Sequence, residues 1–211
     1  MIRAPARAVL LCLIAGYIDA IGYIDYAHVF AANMTGNTVL LAISLAQGEW
    51  ARVSVYAMTL AAFLAGALVA EAAKRRGVPA SLPLLLSGLP LVAVWAAGLE
   101  GDVALAALAA GMGLQGGSVA RFAEINVQTV VITGTILKLA EAAIDRVVRP
   151  AKGAPAPTAK GLSVFAATWL AYAAGAVISL ALKDIGPVKL VLPLAVLMPV
   201  ALGEHRDRMA G

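Results

Sequence analysis

Apolar residues fall in eight blocks along the chain, at about 6–26, 34–47, 53–73, 82–99, 103–120, 129–145, 161–182 and 187–203. Charged or glycine-rich punctuation separates them. Six blocks approach the ~20 residues that a membrane-spanning helix needs. The block at 34–47 is shorter and starts at a polar knot, which suits a half-helix that enters the membrane and returns. The block from 129 starts the same way. The pattern predicts an all-α polytopic membrane protein with six transmembrane helices and two re-entrant half-helices.

The first knot reads Asn33-Met34-Thr35-Gly36-Asn37-Thr38, and the second reads Thr133-Gly134-Thr135. In both, an apolar stretch precedes a Thr-Gly-polar core and another follows it. Thr and Asn accept hydrogen bonds from the first N–H groups of a helix, so each knot predicts a helix start. Such a start carries partial positive charge and unpaired donors.

Composition agrees. Of the 211 residues 62% are hydrophobic and 13% charged, with a mean hydropathy of +0.89. Soluble domains carry about 25% charged residues. The net charge of +4 is spread between apolar blocks, as topology signals are, and does not suggest nucleic acid. Cys12 stands alone, and His28 and His205 lie far apart, so no disulfide, metal site or cofactor is expected. Arg3 and Arg7 ahead of the first apolar block imitate a signal peptide, but the block is long enough to read as an uncleaved span.

Charge also selects a topology. If all eight blocks cross, Lys74, Arg75, Arg76, Arg121, Lys183 and Lys189 fall outside. If the two knot segments return to the side they entered, only Arg52, Lys183 and Lys189 of the sixteen basic residues do. The positive-inside rule prefers the second arrangement, with both termini cytoplasmic.

The halves resemble each other. Thr59-Leu60-Ala61-Ala62-Phe63-Leu64-Ala65-Gly66-Ala67 matches Thr168-Trp169-Leu170-Ala171-Tyr172-Ala173-Ala174-Gly175-Ala176. Two three-span units, 1–100 and 101–211, must then be inverted relative to each other within a single membrane domain. The Pro- and Ala-rich stretch 150–160 reads as a flexible cytoplasmic loop.

Gly16-Tyr17-Ile18-Asp19-Ala20, Asn33-Met34-Thr35-Gly36-Asn37-Thr38, Gly113-Leu114-Gln115 and Thr133-Gly134-Thr135 together resemble the YoaK-type family of bacterial inner-membrane proteins, domain of unknown function 1275. The resemblance covers nearly the whole chain. It implies a compact multi-span protein of the inner (plasma) membrane and no particular chemistry.

Asn33, Thr35, Gly36, Asn37, Thr38, Thr133, Gly134 and Thr135 are the candidate solute ligands, facing each other near mid-membrane. Their plain reading is helix capping and close packing. Asp19, a carboxylate inside the first block, is the candidate coupling group, because an ionised side chain at a span centre costs roughly 2.5–3.5 kcal/mol on insertion scales. Tyr23 is placed on the same face by its spacing and is expected to orient it. Gln115 is read as the second half's counterpart of Asp19 and as a further solute ligand. No nucleophile–base set is recognisable, so no enzyme is expected. The sequence predicts a secondary transporter or channel-like facilitator for a small polar or anionic solute, with proton coupling through Asp19. The rival is a non-transporting scaffold in which the Thr-Gly knots only pack helices. The partners expected are the lipid bilayer and the solute, and self-association into a homo-oligomer is left open.

Overall fold

A computed structural model describes residues 4–118, 140, 144 and 159–210. The second Thr-Gly knot and most of the 150–160 stretch lie outside them. Helices α1 (Ala4–Asp25), α2 (Met34–Ala46), α3 (Trp50–Arg75), α4 (Ser81–Leu86), α5 (Leu89–Ala96), α6 (Gly101–Ser118), α7 (Ala159–Ala181) and α8 (Leu192–Ala210) follow in order. A 3-10 segment, Lys183–Leu190, joins the last two, and no strand occurs among the described residues.

Backbone chemistry sets several boundaries. Beyond α1, Ala27 and His28 adopt left-handed φ of 49° and 59°, which a continuing helix cannot accommodate. Gly48 and Gly77, both at φ 73°, end α2 and α3 as glycines commonly do. The block 82–99, expected as one helix, is broken into α4 and α5 at Ser87 and Gly88. Pro90, at the start of α5, has no N–H to continue the ladder of α4.

Among the described residues four stretches are long and apolar enough to cross a membrane: Pro5–Asp25, Trp50–Arg75, Ser163–Ala181 and Lys183–His205. Met34–Ala46 and Ser81–Ala96 are shorter apolar stretches. Helix α6 falls outside both sets, because Asp102, Gln115 and five glycines dilute its apolar residues. Outward faces carry Leu64, Leu68, Trp169, Leu170 and Val177, all substantially exposed. Such surfaces suit acyl chains rather than water.

Contacts fix the directions. Arg7 Nη1 meets Glu204 Oε2 at 2.6 Å, and Lys189 Nζ meets Asp25 Oδ2 at 2.7 Å. Helices α1 and α8 are therefore antiparallel, and the start of α1 and the end of α8 lie together at the Arg7 end. Gln115 Nε2 donates to Leu11 O at 3.2 Å while Leu105 lies against Gly22, so α6 is antiparallel to α1. Helix α3 runs parallel to α6, bringing Lys74, Arg75 and Arg76 to the Arg7 end and Arg52 to the Asp25 end.

Two parallel helix pairs dominate the packing, α1 with α7 and α3 with α6. Each pair takes one helix from each half of the sequence. A Cβ on Gly16 would lie 2.0 Å from Tyr172 O, and one on Gly113 would lie 2.0 Å from Phe63 O. A Cβ on Gly175 would lie 2.1 Å from Leu13 O and 2.8 Å from Tyr17 N. One on Gly66 would lie 2.1 Å from Ala110 O and 2.9 Å from Leu114 N. One constant shift in numbering carries α1 onto α6 and another carries α3 onto α7. The two crossings are thus the same contact made twice. Thr59 and Thr168, also equivalent, are both fully buried, with hydroxyls returned to Val55 O and Phe165 O of their own helices.

Candidate functional site

The equivalence places Asp19 opposite Gly116, and Ile18 opposite Gln115. The expected pairing of Asp19 with Gln115 is therefore wrong by one position. Gln115 is buried and donates to Leu11 O, so it joins α6 to α1 at a distance from the Asp19 site.

Asp19 is 3% exposed, two-thirds of the way along α1. Its Oδ1 accepts from Ala32 N at 2.5 Å and from Asn33 N at 3.2 Å. Its Oδ2 accepts from the Tyr172 hydroxyl at 2.5 Å. One carboxylate thus joins α1, the 26–33 loop and α7. The loop leaves the end of α1, bends at Ala27 and His28, and descends to the level of Asp19. There α2 begins, and the chain enters α3 back at the Asp25 end.

The first knot sits at this junction. Asn33 is the N-cap of α2, its Oδ1 accepting from Gly36 N at 3.2 Å. Asn37 is fully buried and clamps the loop: its Oδ1 accepts from Phe30 N at 3.0 Å and its Nδ2 donates to Phe30 O at 2.6 Å. Gly36 lies against the Phe30 ring, where a Cβ would stand 3.1 Å away. Thr35 is exposed, and the exposed Thr38 hydroxyl donates to Met34 O at 2.8 Å. The structure therefore brings Asp19, Asn33, Gly36 and Asn37 together and leaves both threonine hydroxyls outside that cluster. Thr133, Gly134 and Thr135 lie outside the described residues.

Tyr23 does not orient Asp19. Its ring stacks on Phe30 and meets His28 edge-on, each at 5.1 Å between centroids. The orienting hydroxyl belongs to Tyr172, on a helix far away in sequence. The repeat held the signal, since Tyr172 stands where the first half has Phe63. Arg7, part of the signal-peptide-like start of the sequence, is 1% exposed and paired with Glu204.

Electrostatically, Asp19 fills the place of an anion at the start of α2. The N–H groups of Ala32 and Asn33, at the positive end of that helix, are spent on its carboxylate. Beside it lies an open, mostly apolar crevice of about 350 Å³ between α1 and α7, lined by Asp19, Tyr23, Phe30, Tyr172, Val177 and Leu180 among others. A second cavity, about 320 Å³, lies at the Asp25 end among Asp25, Tyr26, Trp95, Glu100 and Lys189. There burial, reinforced by the Asp25 and Glu100 carboxylates, raises the Tyr26 phenol above its usual range. Among the described residues no cluster of His, Cys, Asp and Glu suits a metal.

Over residues 7–203 the chain matches the family described as protein of unknown function (DUF1275), and it belongs to that family. It is also similar to the UPF0700 transmembrane protein YoaK of Bacillus subtilis (strain 168), 29% identical over 143 residues. That match covers 63% of this chain and 64% of the relative's length. No solved structure matches.

Proposed function

We propose that this member of a transmembrane family of unknown function is a secondary transporter or channel-like facilitator for a small polar solute, with Asp19 as its proton-coupling group. The observation that carries the reading is the Asp19 carboxylate itself. It is buried within a span and ties together three elements, one of which is a loop descending from the membrane end. Charges inside spans are costly and mark ion and solute paths. An anionic solute is repelled while Asp19 is ionised, because Asp19 already holds the positive end of α2. Protonation removes that charge, so proton and anion each lower the other's cost, reciprocally.

The membrane arrangement proposed with it has six spans, the 26–46 stretch re-entrant, and the halves as inverted repeats. Both termini face the cytoplasm across the inner membrane. It is supported by the return of the chain to the Asp25 end and by the gathering of Arg7, Lys74, Arg75 and Arg76 at the other end. Cysteine introduced at Ala80 should label from inside the cell and at Gly101 from outside. The reverse pattern, or labelling of both from one side, contradicts it.

Function is tested in proteoliposomes. A thermal-shift screen against small anions, nucleobases and organic acids identifies a solute. Asp19→Asn should then keep solute exchange but lose accumulation driven by a proton gradient. Unchanged gradient-driven accumulation removes Asp19 from coupling. The internal bonding of Asn37 and Thr38 favours the second reading, a scaffold, and predicts no flux of any solute together with loss of fold in Asn37→Ala.

A further inference from the structure

We infer that residues 26–33 form a strap that opens and closes over Asp19, with the negative charge of Asp19 as the latch that holds it shut. This deepens the reading of Asp19 as the coupling group by naming the element that its charge moves. The strap turns back over the last turns of α1. A Cβ on Gly22 would lie 2.6 Å from Val29 O and 3.3 Å from Ala31 N, so the bare glycine is what lets the strap lie on the helix. Val29, Ala31 and Ala32 are buried in this closed position, and so is Asp19. A water-borne proton or solute arriving from the Asp25 end meets the strap before it meets the carboxylate.

Two opposed effects set the balance. The Ala32 and Asn33 N–H groups donate to Asp19 Oδ1, and bonds to an ionised acceptor are roughly twice as strong as neutral ones. The strap is otherwise bonded to the start of α2: Asn37 holds Phe30 N and Phe30 O, and Asn33 accepts from Gly36 N. Strap and helix start therefore form one unit, pinned to α1 at Asp19. Against the pin, Ala27 and His28 hold left-handed φ of 49° and 59°, which strains any residue with a Cβ. Neutralising Asp19 weakens the pin and leaves that strain in place, so the strap lifts about a hinge at Ala27 and His28. No neighbouring charge replaces the latch. From α7 it faces the Tyr172 hydroxyl, and α6 brings the apolar Leu105 to Gly22. The strap's own titratable side chains are engaged elsewhere. His28 meets Tyr23 edge-on, and Tyr26 lines the far cavity with Asp25, Glu100 and Lys189.

The test reads strap opening from a thiol beneath it. Val29→Cys replaces a side chain 1% exposed with a smaller one. The full chain in nanodiscs is treated with a water-soluble maleimide, and labelled sites are located by peptide mass spectrometry. Native Cys12, buried in α1, reports global unfolding in the same sample. Adding Asp19→Asn should speed labelling at position 29 by ~10-fold or more, the loss of a charge-assisted hold, with Cys12 still protected. Ala27→Gly leaves the carboxylate untouched and relieves the hinge, so it should slow labelling by about 3-fold. Acidification, corrected against a free thiol peptide, should speed labelling with Asp19 present and not with Asp19→Asn. The inference is overturned if Asp19→Asn leaves the rate unchanged, or if position 29 and Cys12 always label together. Faster labelling in Ala27→Gly overturns it too, as does a pH dependence that survives Asp19→Asn. If the strap ignores Asp19 while solute accumulation still depends on it, the latch falls and the transport reading stands. If the strap behaves as expected but no solute crosses the membrane, the transport reading falls and the latch stands.

Discussion

The α1–α7 and α3–α6 crossings share a backbone and differ in chemistry. Each is a parallel pair in which two equivalent glycines are notched against the same backbone atoms of the partner, and Gly117 adds a third notch against Ala67 at the α3–α6 crossing. At the first crossing, Asp19 and Tyr172 meet in a short hydrogen bond and hold a loop. At the second, the equivalent positions are Gly116 and Phe63, with no carboxylate and no hydroxyl. The notches are therefore what the repeat needs in order to fold. The polar pair is what one copy has in addition, and function is sought where the copies differ.

The largest effect should come from the notches and should be equal at the two crossings. Gly16→Ala and Gly113→Ala each force backbone apart from about 2 Å. Overpacking costs typically 1–3 kcal/mol and more where backbone must shift, so both variants should melt far below the parent. A tolerated Gly113→Ala beside a ruined Gly16→Ala breaks the equivalence. Next comes Asp19→Ala, which strips the Ala32 and Asn33 N–H groups of their acceptor at about 1–3 kcal/mol for each buried group. Gly116→Ala should cost ~1 kcal/mol or less if no notch is built there. Urea or thermal unfolding of the pair reads the difference, and equal losses remove the distinction between the copies. Tyr172→Phe, making the first crossing resemble the second, should cost about 1 kcal/mol, in line with interhelical hydrogen bonds in membranes. Thr35→Ala should be smallest, within about 0.5 kcal/mol as for ordinary exposed positions. A large loss there gives the Thr35 hydroxyl a structural role that its exposure denies.

Much of this was legible in the chain. The apolar blocks located the long helices, because burial in lipid demands unbroken apolar length. Asn33 and Gly36 marked the start of α2, because capping is local chemistry. Asp19 stood out because a carboxylate inside a span needs a reason. Its partner was not legible. Tyr23 has the right helical spacing, but Tyr172 occupies the place, and no local pattern shows which helix will pack against α1. The repeat came closest, since aligning Phe63 with Tyr172 exposes a single hydroxyl present in one copy. The break at Ser87 and Gly88 was visible as Pro83 and Pro90 without being read. Gln115 was misassigned by one position because short glycine-rich matches fix register poorly, whereas glycine notches against backbone fix it well.

Pairing each helix with one from the other half also sets a timetable for assembly. Ribosomes add about 5–20 residues per second. Helix α6 follows α3 by some fifty residues, so by that rate their crossing can close within roughly 3–10 s of α3 emerging. Helix α7 trails α1 by about three times as many residues, a wait on the order of 10–30 s at the same rate. Throughout that interval Asp19 has its loop donors, which emerge 13 and 14 residues behind it, but not Tyr172. The backbone donors thus quiet the charge early, and the phenol arrives last to lock it. Chains halted before residue 159 should hold α3 against α6 and leave α1 open to crosslinking from lipid. A protected α1 in such chains would show that some other part of the protein covers it first.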